Sequence, residues 1–187
     1  QSIFKTHNIQ KFRAKQLIDY IYHRYVFDFD EMTQFPKNLR QWLNDNCVIS
    51  LPTLITESIA PDGKTRKILV EMTDQSRVEA VLMEQHYGYS VCVSSQVGCA
   101  MGCVFCASTQ GGLYRDLTVA EIIGQVVIFG ALTKEEIHSI VVMGAGEPLQ
   151  NYDNVLQALQ LLHDPMICNI SYRKMTISTC GWVPNIY

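Results

Sequence analysis

The sequence lacks any apolar run long enough to cross a membrane, and its amino end does not resemble a secretory signal. These absences predict no membrane partner. It also lacks internal repeats and low-complexity segments, and 48% of its residues are hydrophobic, as in an ordinary globular protein. The chain begins with Gln rather than Met, so we expect its amino end to be trimmed.

An excess of positive charge is also missing. The formal net charge is -3, which does not by itself predict a nucleic-acid partner. The first fifty residues carry seven basic and five acidic side chains, a balance of +2 that leaves -5 for the remainder. A solvated helix surface explains this asymmetry as well as an RNA-binding surface does.

Seven cysteines are present, an odd number that is unevenly distributed, so a disulfide framework is not indicated. Three of them, Cys99, Cys103 and Cys106, are four and then three residues apart. A loop around a metal or cluster would bring such thiols together, which predicts a reducing, cytoplasmic location. Zinc would need a fourth ligand, such as Cys92 or His86, whereas an iron-sulfur cluster with three thiolates keeps one iron open.

The amino-terminal residues 1–50 are predicted to form a small helical domain. Residues 9–25 have the period of an amphipathic helix, with an apolar stripe of Ile9, Phe12, Leu17, Ile18, Ile21 and Tyr22. A short helix is predicted at Phe29–Thr33, and Pro36 is predicted to begin another that turns Leu39, Trp42 and Leu43 inward.

Residues 51–84 are predicted to form an antiparallel β extension. Its strands are expected at Thr53–Ala60, Arg66–Thr73 and Arg77–Met83, and the Asp-Gly pair within Pro61–Lys64 favours a hairpin. Glu79 alternates with apolar neighbours in the last strand, which places it on the solvent side.

From residue 85 to 187 the pattern alternates between strands and helices, which predicts a parallel sheet with right-handed crossovers. The expected strands are Ser90–Ser95, Ser139–Met143 and Lys174–Ser178. A helix is expected at Thr118–Ala131, with Ile122, Val126 and Phe129 facing inward. A second helix is expected at Tyr152–His163, with Val155, Leu156, Leu159 and Leu162 facing inward. Three such units amount to half of a typical barrel, so the edge of the third strand is expected to be unpaired.

A glycine-rich turn, Gly144-Ala-Gly-Glu-Pro148, follows the second of these strands. Its glycines permit close backbone approach, and the carboxylate of Glu147 offers an acceptor for an ammonium group. Ser178, at the end of the third strand, faces the same rim. Taken alone, the turn and the serine are as often structural as functional.

The three-cysteine spacing together with the glycine-rich turn resembles the radical S-adenosylmethionine (SAM) enzymes. The longer matches, at residues 93–99, 106–112, 115–118, 121–125 and 143–149, are similar to the dual-specificity adenine-C2 methyltransferases of ribosomal and transfer RNA. Residues 12–17 and 28–32 resemble the accessory helical domain of that family. The resemblance covers essentially the whole chain and implies an α/β fold: the first half of a partial (β/α)6 radical SAM barrel, preceded by the helical domain and the β extension.

The resemblance also implies roles for single residues. Cys99, Cys103 and Cys106 would hold a [4Fe-4S] cluster, and Gly146, Glu147 and Ser178 would contact SAM. Glu79 matches the proton acceptor, and Cys92 matches a cysteine that pairs transiently with a methyl-carrying cysteine. The reaction would proceed through a 5′-deoxyadenosyl radical, with 23S rRNA and tRNA as substrates and a flavodoxin-like electron donor.

This chain departs from the family pattern at two places. Ala145 stands where the family commonly has Met, and no residue matches the methyl-carrying cysteine, since Cys180 and Cys168 lie elsewhere. We therefore expect the polypeptide as given not to complete RNA methylation. The alternatives left open are methylation of adenine C8, as in the related antibiotic-resistance enzymes, and a catalytically incomplete fragment that binds RNA or a metal.

Overall fold

The computed structural model describes residues 4, 7 and 9–186, and this part of the chain forms four α-helices and eight β-strands. The helices are α1 (Lys11–Tyr22), α2 (Lys37–Asn46), α3 (Val119–Thr133) and α4 (Tyr152–His163). The strands are β1 (Thr53–Ile59), β2 (Thr65–Glu71), β3 (Arg77–Gln85), β4 (Gly88–Val93), β5 (Gln96–Gly98), β6 (Leu113–Asp116), β7 (Ile137–Val142) and β8 (Met175–Ile177). Of the predicted domains, residues 1–3, 5, 6, 8 and 187 lie outside the described residues.

No helix among residues 9–186 combines the length and the apolar character that a membrane span requires.

The helical part has a small hydrophobic core of its own. Its buried members are Phe4, Ala14, Tyr20, Phe29, Met32, Phe35 and Leu43. The short helix observed at Phe29–Glu31 is a 3-10 turn, and α2 begins directly after Pro36 with Leu43 fully buried, as predicted. Helix α1 is shorter than the predicted 9–25, and its Phe12 is 49% exposed, so that member of the predicted stripe was wrong. The reason is that α1 presents Ala14 and Tyr20 to the core instead.

Six strands form one mixed sheet in the order β1-β2-β3-β4-β7-β8. The first four pair antiparallel, and β4, β7 and β8 pair parallel. The predicted meander and the predicted parallel strands are therefore both present. The antiparallel pairing of β3 with β4 was not predicted, and it joins the extension to the parallel strands in a continuous sheet.

Helices α3 and α4 cover one face of this sheet. Helix α3 begins with the predicted capping box. The Thr118 side chain accepts a hydrogen bond from the Glu121 N–H, and the Glu121 side chain accepts one from the Thr118 N–H. Its Ile122, Val126 and Phe129 are buried against the strands, as predicted. On α4, Val155, Leu159 and Leu162 face the core, whereas Leu156 is 37% exposed, contrary to the prediction, because it lies on the outer side of the helix.

The opposite face of the sheet is open. Side chains alternate between the two faces along each strand. Val81 and Cys92, which pair with each other in register, therefore point away from α3 and α4. Met143, which follows β7 on this face, is 51% exposed. The carboxyl ends of β4, β7 and β8 and the loops beyond them border this open face, which is where ligands bind in α/β folds.

Candidate active site

The open face brings together three of the predicted site residues. Cys92 on β4 pairs with Val81 on β3, and Glu79 lies two positions earlier on β3, so both project from the same face. Ile177 on β8 pairs with Val142, which places the next residue, Ser178, on the open side as well. A cavity of about 430 Å³ extends along this face and is lined by Glu79, Cys92, Cys106 and the glycine-rich turn.

Glu79 is exposed and forms an ion pair with Lys67 on the neighbouring strand, with 2.9 Å between Nζ and Oε1. Its backbone is fixed more firmly than its side chain, since the Ser94 hydroxyl donates to the Glu79 carbonyl over 2.7 Å. The solvent-facing orientation predicted for Glu79 is observed, and Glu79 lines the cavity beside Cys92. The carboxylate can therefore meet a molecule that enters the cavity, beside its ion pair with Lys67.

The Cys92 thiol is partly enclosed by the sheet. Burial raises its pKa, and a hydrogen bond from the backbone of Met143 partly opposes the shift. A thiol in this environment stays protonated at neutral pH and is a weak nucleophile until its surroundings change.

The three clustered cysteines occupy a hairpin loop. Strand β5 pairs with β6, and the loop between them runs from Cys99 to Gly112. The Cys99 N–H donates to the Gly112 carbonyl at 3.0 Å, which closes the loop at its base. Inside it, the Thr109 hydroxyl donates to the Cys99 carbonyl and accepts from the Gly102 N–H. The sequence did not predict this two-stranded ribbon.

The thiols differ in exposure. Cys99 is buried at the base of the loop, whereas Cys103 and Cys106 are partly exposed nearer its tip. In the part of the chain that the structure describes, no three His, Cys, Asp or Glu side chains are close enough to hold a metal ion. All three cysteines are free thiols on one loop, however, and thiolates are the ligands that iron-sulfur clusters take. The donor set therefore fits a cluster that would draw the loop together.

The glycine-rich turn packs directly on the segment that follows β4. The Ala145 carbonyl accepts from the N–H groups of Ser95 and Gln96, and its N–H donates to the Ser94 hydroxyl. Gly146 has a φ of +106°, and a Cβ there would lie 2.6 Å from the Gln96 Cβ. Within the described chain, the carbonyl oxygens of Gly144 and Gly146 accept no hydrogen bond, so the turn offers free acceptors on a fixed backbone.

A buried amide network holds these two loops, and sequence reasoning missed it. Gln96 accepts from the Glu147 N–H and donates to Asp116 on β6, over 2.8 and 2.7 Å. Gln125, fully buried on α3, binds both the N–H and the carbonyl of Ser94. A signal was available for Gln125, which is a polar residue within the apolar run of α3.

Asn151 extends the network to a third point. Its side-chain amide donates to the carbonyls of Ser95 and Leu117, at 2.7 and 2.8 Å, and the residue is 3% exposed. The segment after β4 is therefore anchored by side chains from both α3 and the start of α4.

Glu147 points into the protein. The residue is 2% exposed, and its carboxylate accepts from the Thr179 hydroxyl and from the backbone N–H groups of Cys180 and Leu149. Burial opposes its ionisation, but these hydrogen bonds outweigh it and hold the Glu147 pKa below its ordinary value. A hydrogen bond to this carboxylate raises the pKa of the Cys180 thiol to about 11.

An ionic cluster centred on Arg115 braces the ribbon from outside. Arg115 on β6 contacts both carboxylate oxygens of Asp74, in the turn between β2 and β3, and both oxygens of Glu121 on α3. These contacts hold the Asp74 pKa well below its usual range and raise that of Arg115. The base of the cysteine loop is thereby tied to the sheet and to α3.

Comparison with known proteins identifies the family. The model described as the ribosomal RNA large subunit methyltransferase N-terminal domain matches residues 1–49, and the radical SAM superfamily model matches residues 93–186. A protein of Symbiobacterium thermophilum named probable dual-specificity RNA methyltransferase RlmN is 50% identical over 178 residues, which cover 94% of this chain and 48% of that protein. The chain belongs to the radical SAM superfamily, and within it to the RlmN family.

Other relatives agree with this placement. A Desulforamulus reducens protein with the same name is 46% identical over 186 residues, covering 100% of this chain and 53% of its own length. The crystal structure of a radical SAM methyltransferase from Sphaerobacter thermophilus superimposes with a TM-score of 0.91 at 36% identity, covering 98% of this chain and 55% of that one. The chain spans about half the length of the relatives it matches. The predicted fold class, an α/β partial radical SAM barrel, is confirmed.

Proposed function

We propose that this RlmN-family chain is the part of a radical SAM RNA methyltransferase that holds the cluster and SAM. The observation that carries the proposal is the arrangement of the open face, where a carboxylate, a thiol, the cysteine loop and the glycine-rich turn border one cavity. The substrate proposed is adenine in 23S rRNA and tRNA, with C2 as the methylated atom. The names of the relatives support an RNA substrate.

Cys99, Cys103 and Cys106 would hold a [4Fe-4S] cluster, which with SAM supplies a 5′-deoxyadenosyl radical when a flavodoxin-like donor reduces it. The free carbonyls of the glycine-rich turn around Gly146 are suited to receive the SAM ammonium group, because an ammonium has three donors and no acceptor. Ser178 offers a further hydroxyl on the same side of the sheet.

Two residues on the open face would act on the RNA base. The exposed Glu79 carboxylate would accept the proton that leaves the adenine ring carbon, since a general base must reach the proton it takes. Cys92 would release the product by attacking the sulfur of the methyl-carrying cysteine: the disulfide forms as the bond from that sulfur to the transferred carbon breaks, and the electron pair of that bond stays with the RNA base, which takes up a proton. The partly enclosed position of Cys92 protects that thiol until then.

We also propose that three segments of the chain have different roles. Residues 1–50 would face RNA, residues 51–84 would supply Glu79, and residues 85–187 would hold the cofactors. The separate cores of the helical part and the sheet support the first boundary. The second boundary lies one residue before the end of β3, next to the turn that leads to β4. Seven free cysteines support a reducing, cytoplasmic location.

The decisive test is the content of iron and acid-labile sulfide after anaerobic reconstitution. We expect about four of each per chain, with loss in Cys103→Ala and retention in Cys47→Ala. Cys47 is the matched control because it is also a partly buried free thiol but lies outside the loop. Zinc in place of iron, or equal loading of the two variants, would refute the proposal. Reductive cleavage of SAM by the loaded protein would then separate a radical enzyme from a fragment that only binds a metal.

A further inference from the structure

The strongest unassigned feature is the set of contacts that encloses the Glu147 carboxylate. Its Oε1 accepts from the Thr179 hydroxyl at 2.6 Å and from the Leu149 N–H at 2.9 Å. Its Oε2 accepts from the Cys180 N–H at 2.8 Å. A carboxylate has about four acceptor positions, so these donors leave little capacity for a ligand.

The same contacts join two separate loops. Glu147 belongs to the turn after β7, which carries Gly146, whereas Thr179 directly follows Ser178 at the end of β8. The Thr179 hydroxyl is shared, because it donates to Glu147 and accepts from the Gly181 N–H at 3.0 Å. A second link runs in parallel, from the Asn185 amide to the Leu149 carbonyl at 2.6 Å.

We propose that Glu147 and Thr179 form a clamp that fixes the spacing between the two segments that contact SAM, and that Thr179 is a positioning residue for SAM binding. The inference rests on the proposed function, because it assumes that Gly146 and Ser178 border the SAM site. It assigns the Glu147 side chain to the clamp, while the backbone of the glycine-rich turn meets the ligand. Removing the Thr179 hydroxyl releases one side of the clamp without touching the ligand.

The test is calorimetric titration of SAM into the cluster-loaded protein and its variants. Thr179→Val keeps the shape of the side chain but removes the hydroxyl, and we expect it to weaken SAM binding about tenfold, the effect of one hydrogen bond to a charged group. Thr179→Ser keeps the hydroxyl and is expected to restore the affinity. Thr56→Val, at an exposed position on β1 at the far edge of the sheet, is the matched control and is expected to bind as the parent does.

Glu147→Gln is an independent variant. The carboxamide places an NH2 group against the Cys180 N–H in one orientation and against the Thr179 and Leu149 donors in the other, so it is expected to weaken SAM binding more than Thr179→Val does.

A structural role alone would give a different result. Thr179→Val would then lower the free energy of unfolding and leave the SAM affinity of the folded protein unchanged, which would overturn the inference. If Thr179→Val and Thr179→Ala both fail to fold while Thr179→Ser folds, the hydroxyl serves stability only, and the inference is likewise overturned. Lack of SAM binding by the unsubstituted, iron-loaded protein would instead refute the proposed function and the inference with it.

Discussion

Replacing Gly146 with alanine tests how rigidly the two loops are packed. Its φ of +106° is a conformation that side chains rarely adopt, which costs about 1–3 kcal/mol. The added Cβ would lie 2.6 Å from the Gln96 Cβ and 2.7 Å from the Ser95 hydroxyl. Because Gln96 is held by buried hydrogen bonds on two sides, it cannot move aside, and overpacking adds about 1–3 kcal/mol. We therefore expect Gly146→Ala to lower the free energy of unfolding by about 2–6 kcal/mol.

Three other glycines separate the two contributions. Gly63 has a φ of +73° in open space, so Gly63→Ala carries the backbone strain alone, about 1–2 kcal/mol. At Gly144 a Cβ would lie 2.5 Å from the Ser94 hydroxyl without a positive φ, so Gly144→Ala carries the overlap alone, about 1–3 kcal/mol. Gly111 has neither constraint, and Gly111→Ala is expected within about 0.5 kcal/mol of the parent.

The assay is urea unfolding followed by far-ultraviolet circular dichroism, with linear extrapolation to water. The cost at Gly146 should approach the sum of the costs at Gly63 and Gly144. If Gly146→Ala proves no more damaging than Gly63→Ala, the segment after β4 yields easily, and the argument that it is rigidly anchored is refuted.

Two further predictions concern groups that brace the site. Gln125→Leu would leave the N–H and carbonyl of the buried Ser94 unpaired and is expected to lower the free energy of unfolding by about 2–4 kcal/mol. The control is Gln160→Leu, on the exposed side of α4. Equal urea midpoints for these two variants would contradict a stabilising role of the network. The low Asp74 pKa, caused mainly by its hydrogen bond from Arg115, gives stability that is present above its unfolded value near 4 and is lost as the pH falls through the lower folded value. Arg115→Gln should therefore unfold with a shallower dependence on pH below about 4, and parallel acid profiles for the parent and the variant would show that the contact has no such effect.

Local signals in the sequence predicted the elements that position the site. The continuous apolar run of β7 and the Thr118–Glu121 capping box are set by neighbours within a few residues, and both agree with the structure. Strand alternation also placed Glu79 correctly on the solvent side. The open face on which it meets Cys92 follows from the sheet order, which short-range patterns do not contain.

The features that were missed depend on residues far apart in the chain. Strands β5 and β6 are short, and their pairing is stabilised by the remote contact of Arg115 with Asp74. The orientation of Glu147 is set by Thr179, thirty-two residues later. In the sequence, a carboxylate beside glycines suggests a contact with a ligand. The hydrogen-bond partners of the Glu147 carboxylate become visible only when the ends of β7 and β8 are brought together.

The order of the strands has a consequence for assembly. Strands β1 to β4 pair with their neighbours in sequence, and β5 pairs with β6 across a single loop, whereas β4 reaches β7 only after the whole segment between them has been traversed. Because the entropy lost in closing a loop grows with its length, hairpins form before distant parallel strands. The cysteine loop is closed by its own hairpin, so its closure costs less entropy than the pairing of β4 with β7. Completion of the parallel sheet, by contrast, needs the distant contact of β4 with β7, which is the kind of pairing that forms slowly.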